Sequence, residues 1–165
     1  MDIINVNDVC LTLGKTEILK HINVSFEVGK IHGLIGRNGS GKTMLMKCIC
    51  GFIKPTSGEI IVDGKQVGKD VDFPKDMGII IETPGFIPYY SGYKNLKLLA
   101  GLNNKIGKDE IRNSMKQVGL DPDLKRHVRK YSLGMRQRLG LAQAIMENPK
   151  MLILDEPFNG LDKDG

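Results

Sequence analysis

The chain has no tryptophan, only 5% aromatic residues, three cysteines, and no apolar run long enough to cross a bilayer. Each shortage excludes something. So few aromatics argue against an aromatic-rich binding surface, and no basic stripe with interleaved aromatics, the mark of a nucleic-acid binder, stands out. Cys10, Cys48 and Cys50 are odd in number and form no C-x-x-C pair. They fit neither a disulfide framework nor a zinc site, and reduced, buried thiols are expected instead. Runs such as Gly78-Ile79-Ile80-Ile81 fall far short of the roughly 20 residues that a spanning helix needs, so any membrane role is expected to come through a partner. The first ten residues have neither the basic start nor the apolar core of a signal peptide. Acidic residues are outnumbered 19 to 24, but the lysines look scattered along the chain, which reads as a solvated basic surface.

What remains is an ordinary globular composition, 41% hydrophobic and 26% charged over 165 residues, enough for one domain. Strands are predicted over Ile3 to Leu11 and Ile18 to Val28, where Ile22, Val24, Phe26 and Val28 alternate, with the turn Gly14 to Glu17 between them. Further strands are predicted at Ile31 to Ile35, Glu59 to Val62, Met77 to Ile81 and Met151 to Leu154. Helices are predicted over Thr43 to Cys50, Lys94 to Leu102, Asp109 to Val118 and Leu133 to Glu147, with Gly119 as a helix-ending glycine.

Two motifs carry chemistry. Gly36-Arg37-Asn38-Gly39-Ser40-Gly41-Lys42-Thr43 matches G-x-x-x-x-G-K-[ST] in full, between a predicted strand and a predicted helix. Glycines let the backbone curl so that its N–H groups converge on phosphate oxygens, and the following helix presents its positive end to the same anion. Lys42 is placed to reach the β- and γ-phosphates, and the Thr43 hydroxyl to ligate Mg²⁺. The second motif is Met151-Leu152-Ile153-Leu154-Asp155-Glu156, an apolar strand delivering two carboxylates to its C-terminal edge. Asp155 suits Mg²⁺ binding through water, and Glu156 suits a general base acting on the attacking water.

Between these motifs, Tyr131-Ser132-Leu133-Gly134-Met135-Arg136-Gln137-Arg138 resembles the signature sequence of ABC ATPases, usually Leu-Ser-Gly-Gly-Gln followed by basic residues. Ser132 and Gly134 match, whereas Tyr131, Leu133 and Met135 depart from it. Ser132 can cap a helix whose buried face is Leu139, Ala142 and Met146. Phe158-Asn159-Gly160-Leu161-Asp162 resembles the family's D-loop, and Met77 to Glu82 resembles the strand leading to its Q-loop, with Glu82 in place of glutamine. Glu82 to Tyr90 is similar to the bacitracin-export and lantibiotic-immunity branch.

The resemblance implies an α/β P-loop NTPase core with an N-terminal antiparallel β region and a helical subdomain insertion. It covers the chain as one truncated domain, with residues 1–82 and 148–165 as nucleotide core and 83–147 as the helical part. It implies ATP and Mg²⁺ as ligands. Gly36, Asn38, Gly39, Ser40, Gly41, Lys42, Thr43 and Met44 would bind the nucleotide, and Ser132 and Gly134 would face ATP held by an opposing subunit. Glu156, Lys42 and Glu82 are the implied catalytic residues, and Thr43, Asp155 and Glu82 the implied metal ligands. The partners implied are a membrane-embedded permease, met around Phe86 to Tyr93, and a second ATP-binding subunit, identical or related. The implied location is the inner face of the cell membrane, and the implied function is export, with antimicrobial peptides as one class of cargo.

Two departures qualify these expectations. Leu13 stands where the family places an aromatic residue against adenine, and His21, His32 and His127 all lie upstream of the position of the family's switch histidine. A fragment or shortened product with weak hydrolysis, or a nucleotide-binding module without turnover, is therefore expected alongside the active ATPase. An ABC-type machine on nucleic acid or the ribosome is a further alternative. DNA-repair relatives separate their two nucleotide motifs by hundreds of residues, whereas Lys42 and Asp155 lie 113 positions apart. A GTPase is disfavoured because Asn104-Lys105-Ile106-Gly107 lacks the aspartate that would read guanine.

Overall fold

The computed structural model describes residues 2 to 157, which form two compact units meeting in sequence between Lys75 and Asp76. The first unit is built on β1 (Asp2–Leu13) and β2 (Thr16–Glu27), a long antiparallel hairpin closed at Gly14 with φ 61°. Strand β3 (Ser57–Val62) pairs antiparallel with β1, and the two-residue β4 (Lys65–Gln66) pairs with β3, so the sheet order is β2-β1-β3-β4. Helix α1 (Lys42–Ile49) buries Leu45, Cys48 and Ile49, while Val6, Val9, Leu11, Leu19, Ile60 and Val62 are buried from the strands. Gly51 ends this helix in the left-handed region at φ 83°. A Cβ there would fall 2.1 Å from the carbonyl oxygen of Asp72, so only glycine lets the two segments pass.

The three cysteines are free and buried, as expected. Burial pushes the Cys48 thiol up to about 11 and the Cys50 thiol to about 12, because a thiolate loses its hydration there. Both thiols are held neutral by the fold. They contribute stability that is complete below the ordinary thiol value of 9.0 and declines as pH rises from there. Iodoacetamide at pH 8 is accordingly expected to leave Cys48 and Cys50 unmodified in the native protein and to alkylate both in 6 M guanidinium. Peptide mass spectrometry reads the difference.

One expected strand is corrected. Ile31 to Ile35 forms no ladder, and Ile31 and Ile35 are 103% and 99% exposed. An apolar run becomes a strand only where a neighbour accepts and donates its backbone hydrogen bonds. The sheet of this unit runs β2-β1-β3-β4, and residues 31 to 35 pair with none of its strands. The segment reaches the glycine loop without regular secondary structure.

In the second unit β5 (Met77–Ile80) and β6 (Met151–Leu154) pair in parallel, Met77 with Met151 through Ile80 with Leu154. Helices α2 (Gly92–Asn103), α3 (Lys108–Gln117) and α4 (Leu133–Ile145) close over a core of Leu96, Ile111, Met115, Tyr131, Leu139 and Ala142. Helix α2 starts two residues before the expected Lys94, because the Ser91 hydroxyl accepts the Lys94 N–H and sets the cap. Helix α3 ends at Gly119, φ 72°, as the sequence predicts. Gly78 lets α4 lie against β5, since a Cβ there would stand 2.1 Å from the Ala144 carbonyl oxygen.

Candidate functional site

In the first unit the loop from Gly36 to Thr43 is held in shape by its own residues. The Ser40 N–H donates to the Arg37 carbonyl at 3.1 Å, and the Lys42 ammonium donates to the carbonyls of Gly36 and Arg37 at 2.8 and 3.0 Å. Gly39 and Gly41 sit at φ 78° and 92°, conformations that turn consecutive N–H groups toward one side. At 36 a Cβ would meet the Ser40 Oγ at 2.6 Å, so a side chain there would turn that hydroxyl away. Gly41 caps α1 without any side-chain acceptor, and the first turn of α1 holds no acidic residue. The helix thus presents N–H groups and a nearby cation, the donor set that an oxyanion such as phosphate requires.

The same loop sits against the β1–β2 hairpin. A Cβ on Gly41 would lie 2.8 Å from the Leu19 side chain and 3.2 Å from the Ile18 carbonyl oxygen. Leu13, at the end of β1, is 46% exposed and so open to a flat ligand surface.

In the second unit the parallel pair carries carboxylates on both strands at its C-terminal edge, where open α/β sheets bind ligands. Ile80 pairs with Leu154, and the Asp155 N–H donates to the Ile80 carbonyl at 2.7 Å, so the ladder continues one residue past β6. Asp155 is buried at 9% exposure. Glu82 and Glu156, two residues beyond the paired Ile80 and Leu154, are both exposed and both left-handed, at φ 63° and 47°. Left-handed non-glycine residues cost energy and concentrate at functional sites. Among the described residues no three His, Cys, Asp or Glu side chains are grouped to hold a metal ion. Within this unit Asp155 and Glu82 are hard oxygen donors, the chemistry that suits Mg²⁺.

Ser132 caps α4 as the sequence predicts, its hydroxyl accepting the Met135 N–H at 3.1 Å. Gly134 lies in the first turn, and Leu139, Ala142 and Met146 are the buried face, again as expected. The segment resembling the D-loop, Phe158 to Asp162, lies outside the described residues.

Sequence reading missed the residues that hold the segment after Glu82 to the segment before Ser132. Buried Asn95 accepts the Ile87 N–H at 2.8 Å and donates to the carbonyls of Ile87 and Ser91. The buried Tyr131 hydroxyl accepts the Gly92 N–H at 3.2 Å, and the Val128 and Arg129 N–H groups donate to the carbonyls of Tyr90 and Pro88. The available signals were an asparagine on an otherwise apolar helix face and a tyrosine where the signature expects leucine.

A glycine loop curled under its own lysine, leading into an uncapped helix, defines a P-loop nucleotide-binding protein. The model of the ABC transporter family matches residues 19–159. The chain therefore belongs to the ABC transporter ATP-binding family, with a P-loop α/β core, an N-terminal antiparallel β region and a helical subdomain. It is 44% identical over 162 residues to the uncharacterized ABC transporter ATP-binding protein YybJ of Bacillus subtilis, covering 98% of this chain and 74% of that protein. It is 41% identical over 164 residues to the bacitracin transport ATP-binding protein BcrA of Enterococcus faecalis, covering 99% of this chain and 53% of that one. The chain thus spans between about half and three quarters of the length of these relatives. The fold is similar to the dimeric post-hydrolysis ATP-binding cassette MJ0796 bound to ADP and Pi, with TM-score 0.84, 22% identity, and 98% and 77% of the two chains covered.

Proposed function

We propose that this chain is the ATP-binding subunit of an exporter, converting ATP binding and hydrolysis into work by a membrane permease. The observation that carries this reading is the loop Gly36 to Thr43, whose Lys42 ammonium bridges two loop carbonyls beside an uncapped helix start. The domain division is that of one nucleotide core, residues 1–82 with 148–165, interrupted by a helical part, 83–147.

Each residue has a separate task. The backbone from Gly36 to Gly41 wraps the phosphates, Met44 continues the helix that faces them, and Lys42 moves from its two carbonyls to the β- and γ-oxygens. Mg²⁺, when bound, neutralises phosphate charge, and Thr43, Asp155 and Glu82 are the residues that would hold it. Glu156 takes a proton from the attacking water. Ser132 and Gly134 place the start of α4 toward a nucleotide on a second subunit, identical or related. Leu13 supplies an apolar contact to the base.

Phe86 to Tyr93 is the segment offered to the permease, which fixes the chain at the inner face of the membrane. The bacitracin transport relative favours antimicrobial peptides as cargo. Dimer closure tests this reading. Glu156→Gln with ATP and Mg²⁺ is expected to elute as a dimer by size exclusion with light scattering, and to return to monomer when the nucleotide is removed. A monomer at every ATP concentration that saturates the loop would sink the proposal.

A further inference from the structure

Several surface cations of this chain stand beside carboxylates: Lys20 with Glu17, Lys30 with Glu27, and Arg112 with Asp123. One face of the second unit lacks that compensation. Residues 83–108 and 124–146 carry ten of the 24 basic residues and none of the 19 acidic ones. The two stretches are joined through the backbone. The Val128 and Arg129 N–H groups donate to the Tyr90 and Pro88 carbonyls, and Ser91 bridges to His127. Lys94, Lys97, Lys125, Arg126, Arg129 and Lys130 are exposed there, and among the described residues none of the six forms an ion pair. Asp123, just before the second stretch, is engaged by both terminal nitrogens of Arg112.

Apolar and aromatic side chains lie among these cations. Tyr89 is 63% exposed and Ile87 39%, and Leu98, one helical turn after Lys94, is 52% exposed. The Lys94 ammonium lies 3.8 Å from the centre of the Tyr90 ring, and the Arg129 guanidinium 5.1 Å from that of Tyr89. Each contact fixes a long cationic side chain in advance, which lowers the cost of ordering it when a partner arrives. Tyrosine and arginine are also the side chains that most often carry the binding energy of protein interfaces.

We propose that the permease segment docking on residues 86–98 and 124–130 is acidic and amphipathic. Its carboxylates pair with the uncompensated lysines and arginines, and its apolar side chains lie on Ile87, Tyr89 and Leu98. The proposal rests on the permease reading above and adds the chemistry of the contact. Complementary charge sets encounter rate and choice of partner more than raw affinity. The acid-free face therefore selects which membrane protein this subunit serves, because a basic segment would meet six like charges.

The probe is a fluorescein-labelled amphipathic peptide with glutamates along one edge of its apolar face, titrated with the whole chain and read by anisotropy. It is expected to bind about tenfold more tightly than the same peptide carrying glutamine instead, and to weaken severalfold in 0.5 M salt. The variant Lys125→Gln/Arg126→Gln/Arg129→Gln/Lys130→Gln is expected to lose about tenfold or more, since each exposed pair contributes modestly and four are removed. The charge-matched variant Lys15→Gln/Lys65→Gln/Lys69→Gln/Lys75→Gln is expected to keep binding. Tyr89→Ala is expected to lose severalfold at the melting temperature of the parent. Equal binding of the two peptides, equal loss in the two quadruple variants, or preference for phosphatidylglycerol vesicles or single-stranded RNA at matched charge would each overturn the proposal. The permease reading is checked separately, with Tyr89 replaced by the photo-crosslinker benzoylphenylalanine in cells producing the chain. Capture of a membrane-spanning protein through a carboxylate-bearing segment is expected. Capture through a segment without carboxylates would overturn the acidic partner and leave the permease reading standing, whereas capture of no membrane-spanning protein would remove both.

Discussion

Lys42→Ala is expected to lower the affinity for ATP by about 10- to 100-fold, as measured with a fluorescent nucleotide. A charge-assisted hydrogen bond is worth about 1.5–3 kcal/mol, and each 1.4 kcal/mol is about tenfold in affinity. Two effects compete. The Lys42 ammonium already satisfies the carbonyls of Gly36 and Arg37 at 2.8 and 3.0 Å, so engaging a phosphate costs those bonds. Against this, a triphosphate exchanges two weak carbonyl acceptors of the ammonium for charged ones. The second effect is the larger, because ionic acceptors roughly double the bond. Stability is expected to change little, since the bonds lost are exposed and local to the loop. Lys42→Arg is not expected to rescue, because a planar fork cannot fold back as a point charge does onto a turn this tight. An unchanged affinity in Lys42→Ala would remove the loop from nucleotide binding.

Glu156→Gln is expected to reduce ATP turnover by about 10²- to 10⁴-fold, the usual contribution of a positioned general base, while leaving ATP affinity within about twofold. The change is nearly isosteric. It also keeps a non-glycine side chain at the left-handed position of φ 47°, so whatever strain the backbone stores there is carried equally by both proteins. The loss therefore isolates proton acceptance. Phosphate release measured under saturating ATP reads the rate, and nucleotide titration reads the affinity. Undiminished turnover would assign the base elsewhere, with Glu82 the next residue to test, since it lies at the matching level of the neighbouring strand with the same backbone conformation.

Much of the site was legible because its chemistry is local in sequence. The glycine loop and its lysine lie within eight consecutive residues, Gly36 to Thr43, whose spacing follows from the reach of a backbone around a phosphate. The Ser132 cap and the buried face of α4 were legible for the same reason, since a helix face is a periodicity and a cap is a neighbour. Ile31 to Ile35 was not. A short apolar run has the composition of a strand, but strand formation depends on a partner that the run itself does not contain, and here the segment is unpaired, with Ile31 and Ile35 exposed. The left-handed backbone at Glu82 and Glu156 was also invisible, because nothing in a glutamate announces positive φ.

The shortages with which the sequence began divide along the same line. By itself the sequence determined the glycine loop, the capped signature-like helix, the carboxylates after a strand, and the free, buried cysteines. All of these depend on residues close together along the chain. It showed lysines that look scattered and too few aromatics for a binding surface. Tertiary structure gathered some of both on one face. By tying Pro88 and Tyr90 to Val128 and Arg129 through backbone hydrogen bonds, it joined residues 83–108 and 124–146, neither of which holds an acidic residue. Charge density is a property of area rather than of sequence distance, so only the folded chain turns a dispersed excess of cations into a patch.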